Sequence, residues 1–393
     1  MPLRWTGLVG LSLALLLAAC GGGSTSNSQP STSTRVYRFG VVGNRGKLAQ
    51  LERSTPTLVS GITGEVVQIA TSNSDGYALT SDGAVWAWGV ASYGELGNGK
   101  TSPYDTHAVR VAFPAGVKIV TLANPMPFDG ALAIDSTGHV WGWGLNAQGD
   151  LCLSGPTGLR PKQLSLSDVT LATGALTHSL FDSRGHVYAC GSGENGVLGN
   201  GSTTGSSTPV AVVGLPTPAH VAALTSSWGG GGALLSSGAY YNWGYNSAGQ
   251  LGNGTTVNSD VPVHVQLPAA ARQVSQGGSG ATNGQTVAIL KDGSVWAWGN
   301  NRKGQLGDGG RASSDVPVEV KVPKGVTFVK VDSGGYSCYA IDASGRLWAW
   351  GGNDNGQLGT GSGVRTESQP VEVGLHVAQV SSTASNVAGF EHL

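Results

Sequence analysis

Three side chains in this sequence have the residue type and setting for acid–base chemistry: His178, Asp75 and Asp129. A histidine titrates near neutral pH and a carboxylate can take a proton from a substrate, so the set could serve a lyase or a hydrolase. That chemistry requires the groups to converge within about 3 Å of one substrate atom. The eight histidines show no H-x-x-x-H or H-E-x-x-H spacing, so the sequence predicts neither a metal centre nor a cofactor.

The composition is that of a folded chain built from many short elements. Of 393 residues, 64 are glycine and 11 are tryptophan, while hydrophobic residues make up 39%. Many glycines beside many aromatics predict tight turns between short strands. The 22 basic and 23 acidic residues form no run of either sign. A nucleic-acid binder needs a basic stripe, so we expect no nucleic-acid partner.

The first residues have the pattern of an export signal. Arg4 precedes the apolar run Leu8–Leu17, which is too short to span a bilayer comfortably. The segment Leu17–Cys20 resembles the lipobox of bacterial lipoproteins, in which the signal is cut before the cysteine and the cysteine is acylated. We therefore predict a signal peptide over 1–19, a lipidated Cys20 heading a Gly/Ser/Thr tether over 20–34, and a folded domain over 35–393.

One alternative for this segment is a plain secretory signal with a chance cysteine. Gly21 stands where a retention aspartate could follow the lipidated cysteine. This favours the outer membrane or cell surface of a bacterial envelope over the inner membrane.

Three further cysteines follow: Cys152, Cys190 and Cys338. An odd number cannot all pair with one another, so we expect buried free thiols. A Cys152–Cys190 disulfide is the alternative, and disulfide geometry makes it demanding.

A motif exemplified by WAWGNNRKGQLGDG (Trp296–Gly309) returns along the chain. Its anchor, the residue before the recurrent glycine, lies 47 to 55 residues from the next anchor. The anchors are Trp88, Trp143, Cys190, Trp243, Trp298 and Trp350. Each repeat adds an apolar run, which contains a proline in five of the six repeats, then a second apolar run and a D-G or S-G hairpin turn. Together these make four strands. A period of about 50 residues is typical of a β-propeller blade.

The two ends of the chain complete one further repeat. Residues 35–48 imitate the strand that carries the anchor, with Phe39 in the anchor position. Residues 380–390 imitate the strands before an anchor and then stop. We therefore predict a seventh blade shared by both termini, whose closure removes free sheet edges.

The order of apolar strand, D-G turn, W-G and GQLG resembles the RCC1 (regulator of chromosome condensation) repeat over residues 35–393. The resemblance implies an all-β, seven-bladed propeller closed by strands from both termini, and protein recognition through the loops of one face. A nuclear exchange-factor role does not fit an exported lipoprotein. Light sensing does not fit either, because Trp228 alone occupies the tryptophan position that the family's photoreceptor fills in several repeats.

Residues that repeat seven times are scaffold, so function should lie where the repeats differ. The photoreceptor of the resembled family carries its clustered tryptophans in the loop before the second strand of each repeat, so we take the same loops here as the candidate contact face. A ring would gather these loops at one mouth of its central channel. The candidate partner-binding residues there are Asn73, Asp75, Phe128, Asp129, Thr177, Trp228, Asn283 and Tyr336. Phe128 and Trp228 have no role in the repeat, and aromatic anchors dominate protein interfaces. The competing interpretation is that both merely plug the channel.

We expect a monomeric, non-catalytic interaction module that binds an exported protein or a cell-envelope component and is held to the membrane by its lipid. The alternative is an extracytoplasmic lyase or hydrolase with its site in the channel. No catalytic signature favours that alternative.

Overall fold

Hairpins with Asx turns generate most of the structure. The computed structural model describes residues 34–41, 52–72, 75–278, 283–382 and 386–392. In the first repeat, Asp82 Oδ1 accepts hydrogen bonds from the Thr80 hydroxyl (2.6 Å) and the Ala84 N–H (3.2 Å). Gly83 then turns the chain with φ +87°, which a side chain would disfavour. The D-G steps are thus turn formers, as the sequence predicts.

The described residues form 28 strands and one short 3₁₀ helix, Glu194–Gly196. The strands are β1 Thr34–Val41, β2 Glu52–Leu58, β3 Val66–Thr71, β4 Asp75–Thr80, β5 Val85–Ala91, β6 Ser102–Arg110, β7 Ile119–Leu122, β8 Gly130–Asp135, β9 Val140–Leu145, β10 Thr157–Gln163, β11 Val169–Gly174, β12 His178–Ser183, β13 His186–Gly191, β14 Ser206–Ala211, β15 Val221–Ser227, β16 Gly230–Leu235, β17 Tyr240–Gly244, β18 Ser259–His264, β19 Ala271–Gly277, β20 Gln285–Leu290, β21 Val295–Gly299, β22 Ser314–Glu319, β23 Phe328–Ser333, β24 Ser337–Asp342, β25 Arg346–Gly352, β26 Thr366–His376, β27 Gln379–Ser382 and β28 Asn386–His392. Within the described ranges, no helix is long and apolar enough to cross a bilayer.

The strands form seven four-stranded antiparallel sheets among the described residues. Blades 1 to 6 are β3–β6, β7–β10, β11–β14, β15–β18, β19–β22 and β23–β26, and blade 7 has the order β27-β28-β1-β2. The first strand of each blade is innermost, and at six of the seven junctions it contacts the first strand of the next blade. At the junction of blades 2 and 3, β11 contacts β8 instead. Glutamine side chains tie inner strands together: Gln68 donates to the Leu122 carbonyl and accepts from the Leu122 N–H, both at 2.9 Å. The predicted seven-bladed propeller is confirmed.

Ring closure joins the two termini in blade 7. Strand β1 pairs antiparallel with β28, with Val36 opposite Phe390 and Phe39 opposite Val387. On its other side β1 pairs with β2. Val36 and Phe390 are 2% and 3% exposed and pack in one apolar cluster with Trp88 of blade 1. The predicted shared blade is confirmed, and its first strand begins at Thr34 rather than residue 35.

The anchor tryptophans join neighbouring blades. Trp143, Trp243, Trp298 and Trp350 are completely buried. Each indole N–H donates to a backbone carbonyl of the GQLG motif in the preceding blade, at the second residue of the motif. Trp298, for example, donates to the Gln250 carbonyl at 3.1 Å. The glycine that ends this motif lies against the ring, and a Cβ on Gly252 would come within 2.6 Å of Trp298 Nε1. Tryptophan and glycine are therefore required together, which explains why both recur.

Cys152 and Cys190 form a disulfide between blades 2 and 3, with Cα atoms 5.7 Å apart. The expectation of three free thiols is therefore wrong for this pair, while Cys338 is free and buried. Cys190 occupies the tryptophan position, and its Sγ lies 3.5 Å from the Asp150 carbonyl oxygen. Cys152 occupies the position of the motif's final glycine and keeps its left-handed backbone, with φ 51°. A covalent bond thus replaces the glycine–tryptophan contact of the other blades.

Candidate functional site

One position of the inner strand recurs around the axis at the end where the candidate loops lie. In six blades, this residue of the innermost strand pairs with a residue of the neighbouring strand, and that residue pairs in turn with the anchor on the strand beyond it. We call these six residues the mouth ring: Thr71, Gly174, Ser226, Gln276, Ser333 and Ser382. They are small or polar, and Gln276 is the largest. This end of the channel is therefore lined by small side chains and hydrogen-bonding groups.

Two aromatic side chains stand beside the mouth ring. Phe128 follows β7 and Trp228 follows β15, and their ring centroids are 6.0 Å apart with planes at 67°. Both are half-buried. Pro127 holds the first loop over the mouth by packing on Gly174, where a Cβ would lie 2.4 Å from the proline. The Phe128 N–H also donates to the Ala175 carbonyl (3.2 Å). The pair borders an open pocket lined by residues of blades 2 to 7.

Four other predicted residues lie at this face in two groups. Asn283 Nδ2 donates to Tyr336 Oη at 2.7 Å, which joins the loops of blades 5 and 6. Asp129 and Thr177 line a shallow depression that adjoins the pocket and shares Phe128 with it. These loops therefore carry an aromatic pair, an amide–phenol pair and an acidic edge.

Two predicted residues are placed differently. Asp75 is completely buried, and its Oδ2 accepts a hydrogen bond from the Ser72 hydroxyl (2.8 Å). Burial raises the pKa of Asp75 well above its usual value, and the neighbouring Glu95 carboxylate raises it further. Asn73 lies outside the described residues. Asp75 is thus an interior group in this fold and does not lie on the contact surface.

Two acidic residues near this face are absent from the sequence-based set. Glu95 and Asp150 replace the glutamine of GQLG in blades 1 and 2, and they are 1% and 5% exposed. Asp150 lines the depression with Asp129. Burial raises the pKa of Asp150 to about 7, an effect that backbone N–H donors reduce and the Asp129 carboxylate reinforces. The departure of both residues from the glutamine that blades 4 to 6 carry at this position was the available sequence signal.

Replacing Asp150 with asparagine should flatten the pH dependence of stability. The folded pKa of about 7 lies above the ordinary 3.8, so the folded state binds a proton that the unfolded state lacks between these values. This carboxyl therefore lowers the free energy of unfolding as pH rises through that window, by up to about 4 kcal/mol. Urea unfolding at pH 5 and pH 8 should show Asp150→Asn gaining stability relative to wild type at pH 8.

Asp354→Asn is the matched control, because this carboxylate is in the corresponding loop of blade 6 and is exposed. The control should follow the wild-type pH profile. Equal profiles for Asp150→Asn and wild type would show that Asp150 is charged in the folded protein and contradict the assignment.

The catalytic alternative needs an accessible base, and the structure places the two best candidates inside. His178 is completely buried at the first position of β12. Burial lowers its pKa to about 4, and so the imidazole is neutral at pH 7. Asp75 is equally inaccessible. Asp129 lines the depression but is only 8% exposed, and its carboxylate lies close enough to Asp75 to raise the pKa of that carboxyl further. In the described part of the chain, no group of three or more His, Cys, Asp or Glu residues is arranged to hold a metal ion.

Comparison with known proteins agrees with this architecture. The family model of the RCC1-like domain matches residues 35–393. The ultraviolet-B receptor UVR8 of Arabidopsis thaliana is 28% identical over 320 residues, which is 80% of this chain and 71% of the receptor. E3 ubiquitin-protein ligase HERC2 of Homo sapiens is 26% identical over 313 residues, which is 78% of this chain but 6% of the ligase.

Among solved structures, that of Prp20p from Saccharomyces cerevisiae has a TM-score of 0.75 at 20% identity, with 92% of each chain covered. At this identity the likeness concerns the fold. Because the family model extends from the first strand to the last, this chain belongs to the RCC1-like domain family of protein-interaction propellers.

Proposed function

We propose that this protein is an exported, lipid-anchored, non-catalytic propeller that binds an exported protein or another cell-envelope component through its channel mouth. The observation that carries the proposal is the half-buried pair Phe128–Trp228, which borders an open pocket. The four tryptophans that join blades are completely buried. An aromatic pair left in contact with solvent retains hydrophobic area that a partner can cover.

The fold supports recognition of a protein. The structure of Prp20p is described with its binding properties to Gsp1p and histones, so a propeller of this family can serve as a docking platform. Each candidate loop here joins the first strand of a blade to the second, and the second strand is hydrogen-bonded on both sides. A rigid support lowers the entropy lost when a partner binds.

The disulfide supports export. Structural disulfides form and persist in oxidising compartments such as the bacterial periplasm or the cell surface. The Cys152–Cys190 bond is buried between two blades, where it replaces a contact of the repeat. The proposed signal peptide and Cys20 lie outside the described residues. Their sequence pattern and the disulfide are two independent observations that support the proposed export.

Cross-linking on intact cells tests this function. A tagged chain should capture a partner, and the double variant Phe128→Ala/Trp228→Ala should reduce the captured amount at least about tenfold, because two anchors are lost. Tyr241→Ala is the matched control, since this half-buried aromatic of blade 4 contacts His264 away from the mouth. Fractionation of the same cells should leave wild type with membranes and Cys20→Ser in the soluble fraction.

Capture that survives the double variant would refute the mouth as the binding site. Membrane association that survives Cys20→Ser would refute the lipid anchor. Thermal unfolding of each purified variant separates loss of binding from loss of folding.

A further inference from the structure

The pocket at the channel mouth meets solvent mainly through apolar residues. The lining residues that are half-buried, and so reach the opening, are Pro125, Phe128, Leu176, Ser227, Trp228 and Gly278. Met126 and the other lining residues lie deeper and are buried. Four of the six residues at the opening therefore present apolar side chains that an occupant would shield from water.

The serine hydroxyls in the deeper lining are bonded within the protein. The Ser226 hydroxyl donates to the Gly174 carbonyl (2.7 Å), and the Ser382 hydroxyl donates to Asp332 Oδ2. The Ser333 hydroxyl accepts from a glutamine side chain (3.0 Å). A polar ligand would therefore lose hydrogen bonds to water and would have to compete with these internal bonds to replace them.

The amide of Gln276, the largest polar side chain of the lining, is directed into the protein. Gln276 Nε2 donates to Asn242 Oδ1 at 2.6 Å, and Asn242 is completely buried. Gln276 Oε1 is itself buried. This amide therefore offers no accessible acceptor to a group that enters from the opening.

The pocket offers no counter-charge. None of the described residues that line it is charged. Asp332 lies behind Ser382, and its two carboxylate oxygens accept hydrogen bonds from the hydroxyls of Ser382 and Ser275. A charged group that entered would give up its hydration without an ion pair in return. Charge complementarity therefore selects an uncharged occupant.

The pocket admits the end of a side chain and excludes larger groups. Its cavity volume is about 50 Å³, whereas an apolar cavity of about 150 Å³ is the size that holds a benzene ring. An aromatic side chain or a sugar ring is therefore too large to enter. The branched end of an aliphatic side chain is small enough.

Hydrogen bonds between blades hold this pocket in shape. The Met126 N–H donates to the Thr71 carbonyl of blade 1 (3.1 Å), and the Gly174 N–H of blade 3 donates to the Pro125 carbonyl (2.9 Å). The loop that carries Pro125 and Met126 is thus tied on both sides. A preformed pocket requires little ordering when a ligand enters, so most of the burial of apolar area is retained as affinity.

We infer that the channel mouth receives one aliphatic side chain of a protein partner, of about the size of leucine, packed against Phe128, Leu176 and Trp228. This inference rests on the proposed function and narrows its partner to a protein. A glycan presents hydroxyl groups, and those that entered this pocket would lose hydrogen bonds to water. An aliphatic side chain gains apolar burial and leaves no polar group unpaired.

Small ligands of matched shape test the inference on the unaltered full-length protein. Nα-acetyl-leucine methylamide and Nα-acetyl-asparagine methylamide have side chains of nearly the same shape and differ in polarity. NMR titration should show the leucine compound binding at least about tenfold more tightly, because its side chain gains apolar burial and loses no hydrogen bonds. The disaccharide N,N′-diacetylchitobiose represents a glycan and should produce no shift at the pocket.

Met126 supplies the reporter for this titration. It lines the pocket and is one of two methionines in the chain, the other being Met1, so methyl labelling of methionine gives it a signal of its own. The Trp228 indole N–H reports on the opening. Equal affinities of the leucine and asparagine compounds, shifts from the disaccharide alone, or no shift at Met126 with the leucine compound would overturn the inference.

Variants of Leu176 locate the preference. Leu176→Asp places a charge at the opening and should weaken binding of the leucine compound at least about tenfold. Leu58→Asp makes the same change at a side chain that is 52% exposed in the outer strand of blade 7, and it should leave the affinity unchanged. Leu176→Ala is the milder variant, which should weaken binding about threefold or more because apolar contact area is lost. Unchanged leucine affinity in a folded Leu176 variant would contradict the inference.

The partner experiment separates this inference from the proposed function. Capture lost in Phe128→Ala/Trp228→Ala but unchanged in Leu176→Asp, and not competed by the leucine compound, would leave the function standing and overturn the aliphatic side chain. Capture competed by the disaccharide would overturn it in the same way, in favour of a glycan. Capture that is indifferent to the aromatic pair would overturn the function itself.

Discussion

A chain that lacks Thr34–Val41 should lose the cooperative unfolding of the propeller. Strand β1 is hydrogen-bonded to β28 on one side and to β2 on the other, so its removal opens the ring and detaches the outer strand of blade 7. It also exposes Phe390 and Trp88, which pack with Val36. The loss of a central strand with its apolar contacts is comparable to the total stability of a domain, about 5–15 kcal/mol. Urea unfolding followed by circular dichroism measures the effect.

A milder version uses single substitutions in the same blade. Val36→Asp buries a carboxylate at a position that is 2% exposed and should cost several kcal/mol, roughly 3–5. Leu58→Ala removes a side chain that is 52% exposed in β2 and should change stability by less than about 0.5 kcal/mol. If the shortened chain unfolds with wild-type midpoint and slope, ring closure contributes nothing and the architecture is wrong.

Breaking the Cys152–Cys190 bond should produce the second largest effect. The bond closes a loop with a sequence separation of 38, for which the chain-entropy relation gives about 4 kcal/mol. Cys152→Ser, or reduction of wild type with dithiothreitol, should lower the free energy of unfolding by a similar amount. Thermal unfolding with and without reductant measures it.

The repeat supplies a rescue for this loss. The single variant Cys190→Trp should be less stable still, because Cys152 would place a Cβ against the new tryptophan ring. In blade 5 the equivalent residue is Gly307, and a Cβ added there would lie 2.8 Å from Trp350 Nε1. The double variant Cys152→Gly/Cys190→Trp rebuilds the noncovalent contact and should recover most of the stability without sensitivity to reductant. Additive losses in the double variant would contradict the interpretation of the disulfide as a replacement for that contact.

The repeats made the architecture predictable because the same physical requirements recur in each blade. A tryptophan buried against the preceding blade needs a glycine beside it, as Trp298 needs Gly252. A hairpin needs a turn such as Asp82-Gly83. The partial repeats at the two ends then led to blade 7, because an open ring would leave unpaired strand edges.

The disulfide was predictable in part. Cys190 in the tryptophan position is visible in the sequence, and so is Cys152 in the glycine position of GQLG. The disulfide between them can be predicted only when the tryptophan position of one blade is known to pack on the final glycine position of the preceding blade. The acidic substitutions Glu95 and Asp150 are visible in the same way, and their burial becomes apparent only in the folded chain.

The sequence by itself determined the number of blades, the order of strands and the sharing of blade 7, because those depend on local hydrophobic periodicity and turn chemistry. Tertiary structure decided which departures from the repeat meet. Phe128 and Trp228 pack edge to face beside the mouth, Asp75 is buried, and Gln276 Oε1 is buried without a hydrogen-bond partner among the residues that the structure describes. These outcomes depend on packing between blades, where residues distant along the chain compete for the same space and the same hydrogen bonds.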